Sequence, residues 1–149
     1  MVILVGATIF GRFMAVSTIP FAIGDWAGNL PLPPAAIIAV IVFTFLVGGC
    51  FMDSLALIVL TIPIFYPVVV ALDYDPIWFG VIIVLVTEMG VITPPVGVNV
   101  YVIQGIADDV PLETVFKGIF PFLGALIVAT VILVLFPEIA TFLPSLVSY

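Results

Sequence analysis

Asp53 and Glu88 are carboxylates set inside long apolar runs. An acid at membrane depth is costly unless it is paired, hydrated or bound to a cation. Asp53 follows Gly48-Gly49-Cys50-Phe51-Met52, and Glu88 precedes Gly90-Val91-Ile92-Thr93-Pro94-Pro95-Val96-Gly97. Glycine permits positive φ, and proline lacks an amide and clashes with the preceding turn. Both stretches therefore interrupt helix where the flanking sequence would continue it. Main chain freed there is expensive in lipid unless protein or water receives it. Carboxylate, hydroxyl and carbonyl oxygens suit a hard cation such as Na⁺. Asp53, Thr93 and the carbonyls of the Gly90–Pro94 stretch supply that set. A second reading stands beside it, in which Asp53 caps a helix beginning at Ser54; both can hold at once.

Other polar groups are fewer. Glu88 either pairs or titrates, or it faces an aqueous crevice without a role. Thr87, Asn99 and Gln104 share its segment. Asn99 lies just past the second interruption, within reach of freed backbone or substrate, and helix–helix hydrogen bonding is the common alternative for such residues. Cys50 reads as a small packing residue. Asp108, Asp109 and Glu113 read as a solvated face. Asp53 and Asp75 could be paired on count as an aspartic protease, but Asp75 lies in the polar turn Asp73-Tyr74-Asp75-Pro76. With no histidine and one cysteine, serine/histidine, zinc and disulfide chemistry cannot be assembled from this chain. The chain reads as no enzyme and implies no cofactor.

These residues need a scaffold, and composition says which. The chain is 65% hydrophobic and 7% charged, with mean hydropathy +1.54. Soluble domains carry roughly 25% charged residues. The apolar runs are continuous rather than alternating, which favours membrane helices over a membrane barrel. Net charge is −7 with Arg12 and Lys117 the only bases, which excludes a nucleic-acid footprint. No basic leader precedes the first apolar run, and the chain reads as part of a larger permease.

A single membrane domain over 1–149 follows, in four parts. Residues 1–17 read as a transmembrane helix, with Arg12 snorkelling to an interface. Pro20 to Leu30, bearing Trp26, reads as an interfacial stretch. Residues 34–72 read as a re-entrant hairpin with its tip at Gly48–Ser54, since Pro34–Val47 is shorter than the about 20 residues a crossing needs. Pro63 and Pro67 disturb its second arm, and one kinked crossing is the alternative. Residues 76–106 read as one broken helix, capped by Asp75 and unwound at its centre. Pro111–Gly118 reads as a surface connector with a Glu113–Lys117 ion pair. Residues 119–143 read as a transmembrane helix, cleanest over Ile119–Phe136, with Pro137, Glu138 and Pro144 marking its exit and Ile139–Leu143 able to extend the crossing.

Several runs together resemble a known family. Gly49-Cys50-Phe51-Met52-Asp53, Pro63-Ile64-Phe65-Tyr66-Pro67 and Asp75-Pro76-Ile77-Trp78-Phe79-Gly80 come in order. They are followed by Glu88-Met89-Gly90-Val91-Ile92-Thr93-Pro94-Pro95-Val96-Gly97-Val98-Asn99 and Gly118-Ile119-Phe120-Pro121-Phe122. The set resembles the C-terminal portion of the large permease subunit of tripartite ATP-independent periplasmic (TRAP) transporters. The resemblance implies an all-α integral membrane fold, the second inverted repeat of an elevator-type transporter, with a re-entrant hairpin and a discontinuous transmembrane helix. It implies sodium-driven import of organic acids, such as C4-dicarboxylates or sialic acid, across a bacterial inner membrane. A periplasmic binding protein and a small membrane subunit would be the partners. By that likeness Asp53 and Thr93, with the carbonyls of Gly49 and Gly90, hold one Na⁺. Ser54, Glu88, Pro94, Pro95 and Asn99 then meet substrate. Val86 stands where the resemblance leads one to expect a polar residue, often Asn. Two rivals remain open: a sodium–dicarboxylate symporter without a binding protein, and a non-transporting membrane fragment.

Overall fold

The computed structural model describes residues 2–94, 97–107 and 110–146, which are helices and connecting turns with no strand among them. The candidate ligand Pro95 and the expected solvated pair Asp108 and Asp109 lie outside the described residues.

Helices α1 (Val2–Ser17) and α2 (Ile19–Gly28) meet at Thr18, which takes the left-handed conformation with φ 56°. The two are bent by 67° across that residue. The interfacial stretch expected from Pro20 to Leu30 is thus helical through Gly28. Pro20 sits in the first turn, where no amide is required. Asn29 closes the end by donating its Nδ2 to the Asp25 carbonyl at 2.7 Å.

α3 (Pro34–Phe51) corrects one sequence boundary. Gly48, Gly49, Cys50 and Phe51, expected at the hairpin tip, complete the helix, and the interruption shrinks to Met52 and Asp53. At 1.5 Å per residue, its 18 residues reach about 27 Å. α3 is therefore not the short arm expected of Pro34–Val47. α4 (Ser54–Ala71) turns back along it. Leu57 packs against Gly48, and the rings of Phe65 and Phe45 lie 5.5 Å apart. Pro63 and Pro67 stay inside this helix rather than ending it.

α5 (Pro76–Ile92) runs parallel to α3 and contributes more of the core than any other helix. Phe79, Ile82, Ile83 and Val86 are fully buried, with Phe79 edge-on to Phe45 at 6.5 Å. Val86 is thus a core residue, which accounts for its apolar type. Asp75 opens the helix as expected: its Oδ1 accepts from the amides of Ile77 (2.7 Å) and Trp78 (3.1 Å). The helix persists through Gly90 to Ile92, three residues past Met89, the expected end of its first arm. α6 (Val98–Ile106) follows the break.

α7 (Leu112–Leu135) absorbs the expected surface connector and runs back antiparallel to α5. Its Phe116 lies beside Gly97 and its Leu133 beside Trp78. The Glu113–Lys117 pair forms at 2.7 Å on its exposed first turns. The exit expected at Pro137 is where the helix ends, and the extension over Ile139–Leu143 is not one helix with it: Pro137 supplies no amide, and α8 (Glu138–Leu146) starts separately. Among the described residues three helices, α3, α4 and α7, are long and apolar enough to cross a membrane, and up to four spans result if the bent pair is counted as one.

Candidate functional site

Two glycines set the geometry. A Cβ built on Gly90 would stand 2.6 Å from the Leu46 carbonyl oxygen and 2.8 Å from the Cα of Gly49. One built on Gly49 would stand 2.8 Å from the Thr87 carbonyl oxygen and 3.1 Å from the Cα of Gly90. The α3 and α5 backbones therefore touch, and only residues without side chains permit it. Because both helices end within a turn of this crossing, the Met52–Asp53 turn and the break after Ile92 are drawn to the same end of the bundle.

Asp53 occupies the cap of α4. Its Oδ2 accepts from the Ala56 amide at 3.3 Å, and the residue is exposed. The capping reading therefore holds. It does not exhaust the carboxylate, because Oδ1 has no hydrogen-bond partner among the described residues. Capping fixes the acid in place and leaves an oxygen over.

Thr93 closes α5. Its amide donates to the Gly90 carbonyl at 3.0 Å, and its hydroxyl donates to the Met89 carbonyl. With its proton committed to Met89, the hydroxyl oxygen presents lone pairs alone, as a cation ligand would. The last amide bond of α3 runs from Met52 to the Gly48 carbonyl at 2.9 Å. The carbonyls of Gly49, Cys50 and Phe51 lie beyond it, in the turn where helix acceptors go unpaired.

The remaining candidates are placed less tightly. Ser54 opens α4 and is half-buried. Pro94 is exposed at the break, Asn99 is exposed in the first turn of α6, and Glu88 is exposed on α5. No hydrogen bond joins Asp53 to Thr93, and Glu88 has no ion-pair partner among the described residues. Thr87 is fully buried and bonds to Ile83 of its own helix, which answers its role.

Two contributors escape sequence reasoning, Phe116 beside Gly97 and Leu57 on Gly48. Gly97 is buried with φ 54°, and a Cβ there would meet Phe116 Cε1 at 3.3 Å, so the first turns of α7 brace the break. Leu57 seats on Gly48, where a Cβ would stand 2.9 Å from its Cδ1. Gly97 itself reads as part of the interruption; nothing local marks Phe116 or Leu57 as a glycine's counterpart on a facing helix.

Comparison with known proteins follows this geometry. The family model described as "Tripartite ATP-independent periplasmic transporter, DctM component" matches residues 1–139. The C4-dicarboxylate TRAP transporter large permease protein DctM of Pseudomonas aeruginosa is 34% identical over 145 residues, 97% of this chain and 34% of that protein. The sialic acid TRAP transporter large permease protein SiaM of Vibrio cholerae is 33% identical over 141 residues, 95% of this chain and 33% of that protein. The isethionate TRAP transporter permease protein DctMQ of Oleidesulfovibrio alaskensis is 35% identical over 136 residues, 91% of this chain and 21% of that protein. The chain spans about a third of the length of the first two. No solved structure matches.

Proposed function

From a chain that belongs to the DctM component family of TRAP transporters, a family of permeases rather than enzymes, we propose part of a sodium-coupled importer of organic acids. Family membership and the spanning helices make it a multi-pass protein of a bacterial inner membrane. The substrate class is taken from relatives whose names specify C4-dicarboxylate, sialic acid and isethionate, all of which carry an acid group. A periplasmic binding protein and a small membrane subunit are the proposed partners, consistent with the family description and with a relative named DctMQ. Within that system α3 and α4 act as a re-entrant hairpin and α5 and α6 as one discontinuous transmembrane helix. Together they form the second inverted repeat of an elevator.

The observation that carries the reading is the Gly49–Gly90 crossing, which brings two unwound turns and one carboxylate to the same end of the bundle. Na⁺ is held by Asp53, Thr93 and the carbonyls of Gly49 and Gly90. Substrate then meets Ser54, Glu88, Pro94, Pro95 and Asn99. Unit charges about 4 Å apart attract by roughly 4 kcal/mol at an effective dielectric near 20. Coupling of about 1–3 kcal/mol already changes affinity roughly 5- to 150-fold, so the attraction suffices.

The test is uptake into proteoliposomes holding the complete transport system, with and without an inward sodium gradient. Uptake that ignores the gradient discards sodium coupling. Uptake that needs sodium but is unaltered by Asp53→Asn discards the site.

A further inference from the structure

The motif Asp75-Pro76-Ile77-Trp78-Phe79 takes no part in the cation reading, yet its chemistry is specific. Trp78 is 4% exposed, and its indole Nε1–H donates to the Leu133 carbonyl of α7 at 2.7 Å. In a continuous helix that carbonyl would accept from the amide four residues on. Residue 137 is proline and has no amide. The α-helical ladder stops there: Phe136 still donates four residues back to Ile132 at 2.8 Å, whereas Ile139 and Ala140 donate only three back, to Phe136 and Pro137, at 3.1 Å each. Leu133 is the acceptor that Pro137 leaves over, and the indole reaches it from a different helix.

The indole is also held in place. Tyr74 stacks on it at 5.4 Å with planes 20° apart, and Asp75 binds the Trp78 amide. Phe79, the next residue, packs edge-on to Phe45 of α3. We infer that Trp78 is a positioning residue whose indole replaces the amide missing at Pro137, fixing the α7–α8 junction to the start of α5. A break in apolar helix is tolerated when a neighbouring side chain satisfies the freed acceptor, and here the neighbour is identified.

The inference stands apart from the cation reading, since its measurements involve neither sodium nor substrate. Trp78→Phe keeps the ring and removes the donor. In the assembled transport system it should shift the unfolding equilibrium roughly 5- to 30-fold toward the unfolded state. Pro137→Ala and Pro137→Gly each restore an amide. In either background the Trp78→Phe penalty should largely vanish. In ¹⁵N-tryptophan spectra, the Trp78 indole proton should be downfield in the parent and move upfield in both Pro137 variants. A penalty unchanged within about twofold across backgrounds would mean independent sites and would overturn the inference. Rescue by Pro137→Ala without rescue by Pro137→Gly would trace to helix propensity and overturn it too. So would an indole signal that ignores both proline variants.

Discussion

Gly90→Ala tests whether backbone contact holds the two turns together. Its Cβ would meet the Leu46 carbonyl oxygen at 2.6 Å, where ordinary contact begins at 3.4 Å, so α3 must withdraw by about 0.8 Å. The obstacle is main chain on the facing helix, which has no rotamer to change. Overpacking of this kind costs about 1–3 kcal/mol. Alanine returns about 1 kcal/mol through its higher helix propensity. A net loss of about 0–2 kcal/mol results, or a fall of up to about 8 °C in Tm at roughly 2–4 °C per kcal/mol for a chain of this size. Gly80→Ala is the matched control: it lies in the same helix, and a Cβ there meets nothing within 4 Å. It should hold or raise Tm. Thermal unfolding of both variants in detergent decides the matter. Gly90→Ala unfolding at or above Gly80→Ala would show that the helices are not in contact at this crossing, and the case for adjacent turns would fail with it.

Asp53→Asn separates cap from charge, because asparagine caps as well as aspartate. Stability should stay within a few tenths of a kcal/mol while sodium-driven uptake is lost. Asp53→Ala should lose both, with about 1 kcal/mol from the cap, as read by unfolding and uptake together. Gly97→Ala should destabilise by about 1–2 kcal/mol, since its φ of 54° is left-handed and Phe116 stands 3.3 Å from the new Cβ. An unfolding curve equal to the parent's would contradict that conformation. Lys117→Ala should cost less than about 0.5 kcal/mol, and nothing at 1 M salt, because the pair with Glu113 is 71% and 79% exposed.

The cap at Asp75 and the Glu113–Lys117 pair were legible because each is written within a few residues. The end of α3 was not. Gly48 and Gly49 read locally as helix breakers, yet here the missing side chains are what bring α3 onto α5, and packing keeps the segment helical. Pro63 and Pro67 mislead in the same direction. α4 carries them through, with Gly11 packed near Pro63 and Gly24 beside the Pro67 carbonyl. The division of the 119–143 segment had a visible cause in Pro137, but its acceptor is satisfied by Trp78 from 55 residues away along the chain. Separations of that size have no local signature. Asp53 could be read as ligand or cap, and the geometry explains why both were defensible: one oxygen serves the helix and the other has no partner among the described residues.

Helix direction supplies a reason for sodium to bind before the acid in the mechanism proposed above. α3 and α5 run parallel and end beside their shared crossing, so two negative dipole ends, about half a charge each, add to the carboxylate of Asp53. The positive start of α4 is already engaged by that same carboxylate through Ala56. Before a cation arrives, the field at the turns is therefore negative, and an organic acid is repelled. One Na⁺ offsets much of that charge and leaves the start of α6, where Asn99 lies, as the positive end still available to an anion. In that proposed mechanism the binding order follows from the way four helices point. Because linkage is reciprocal, the proposed mechanism then requires that bound acid tighten sodium binding, and sodium affinity measured with and without substrate checks it.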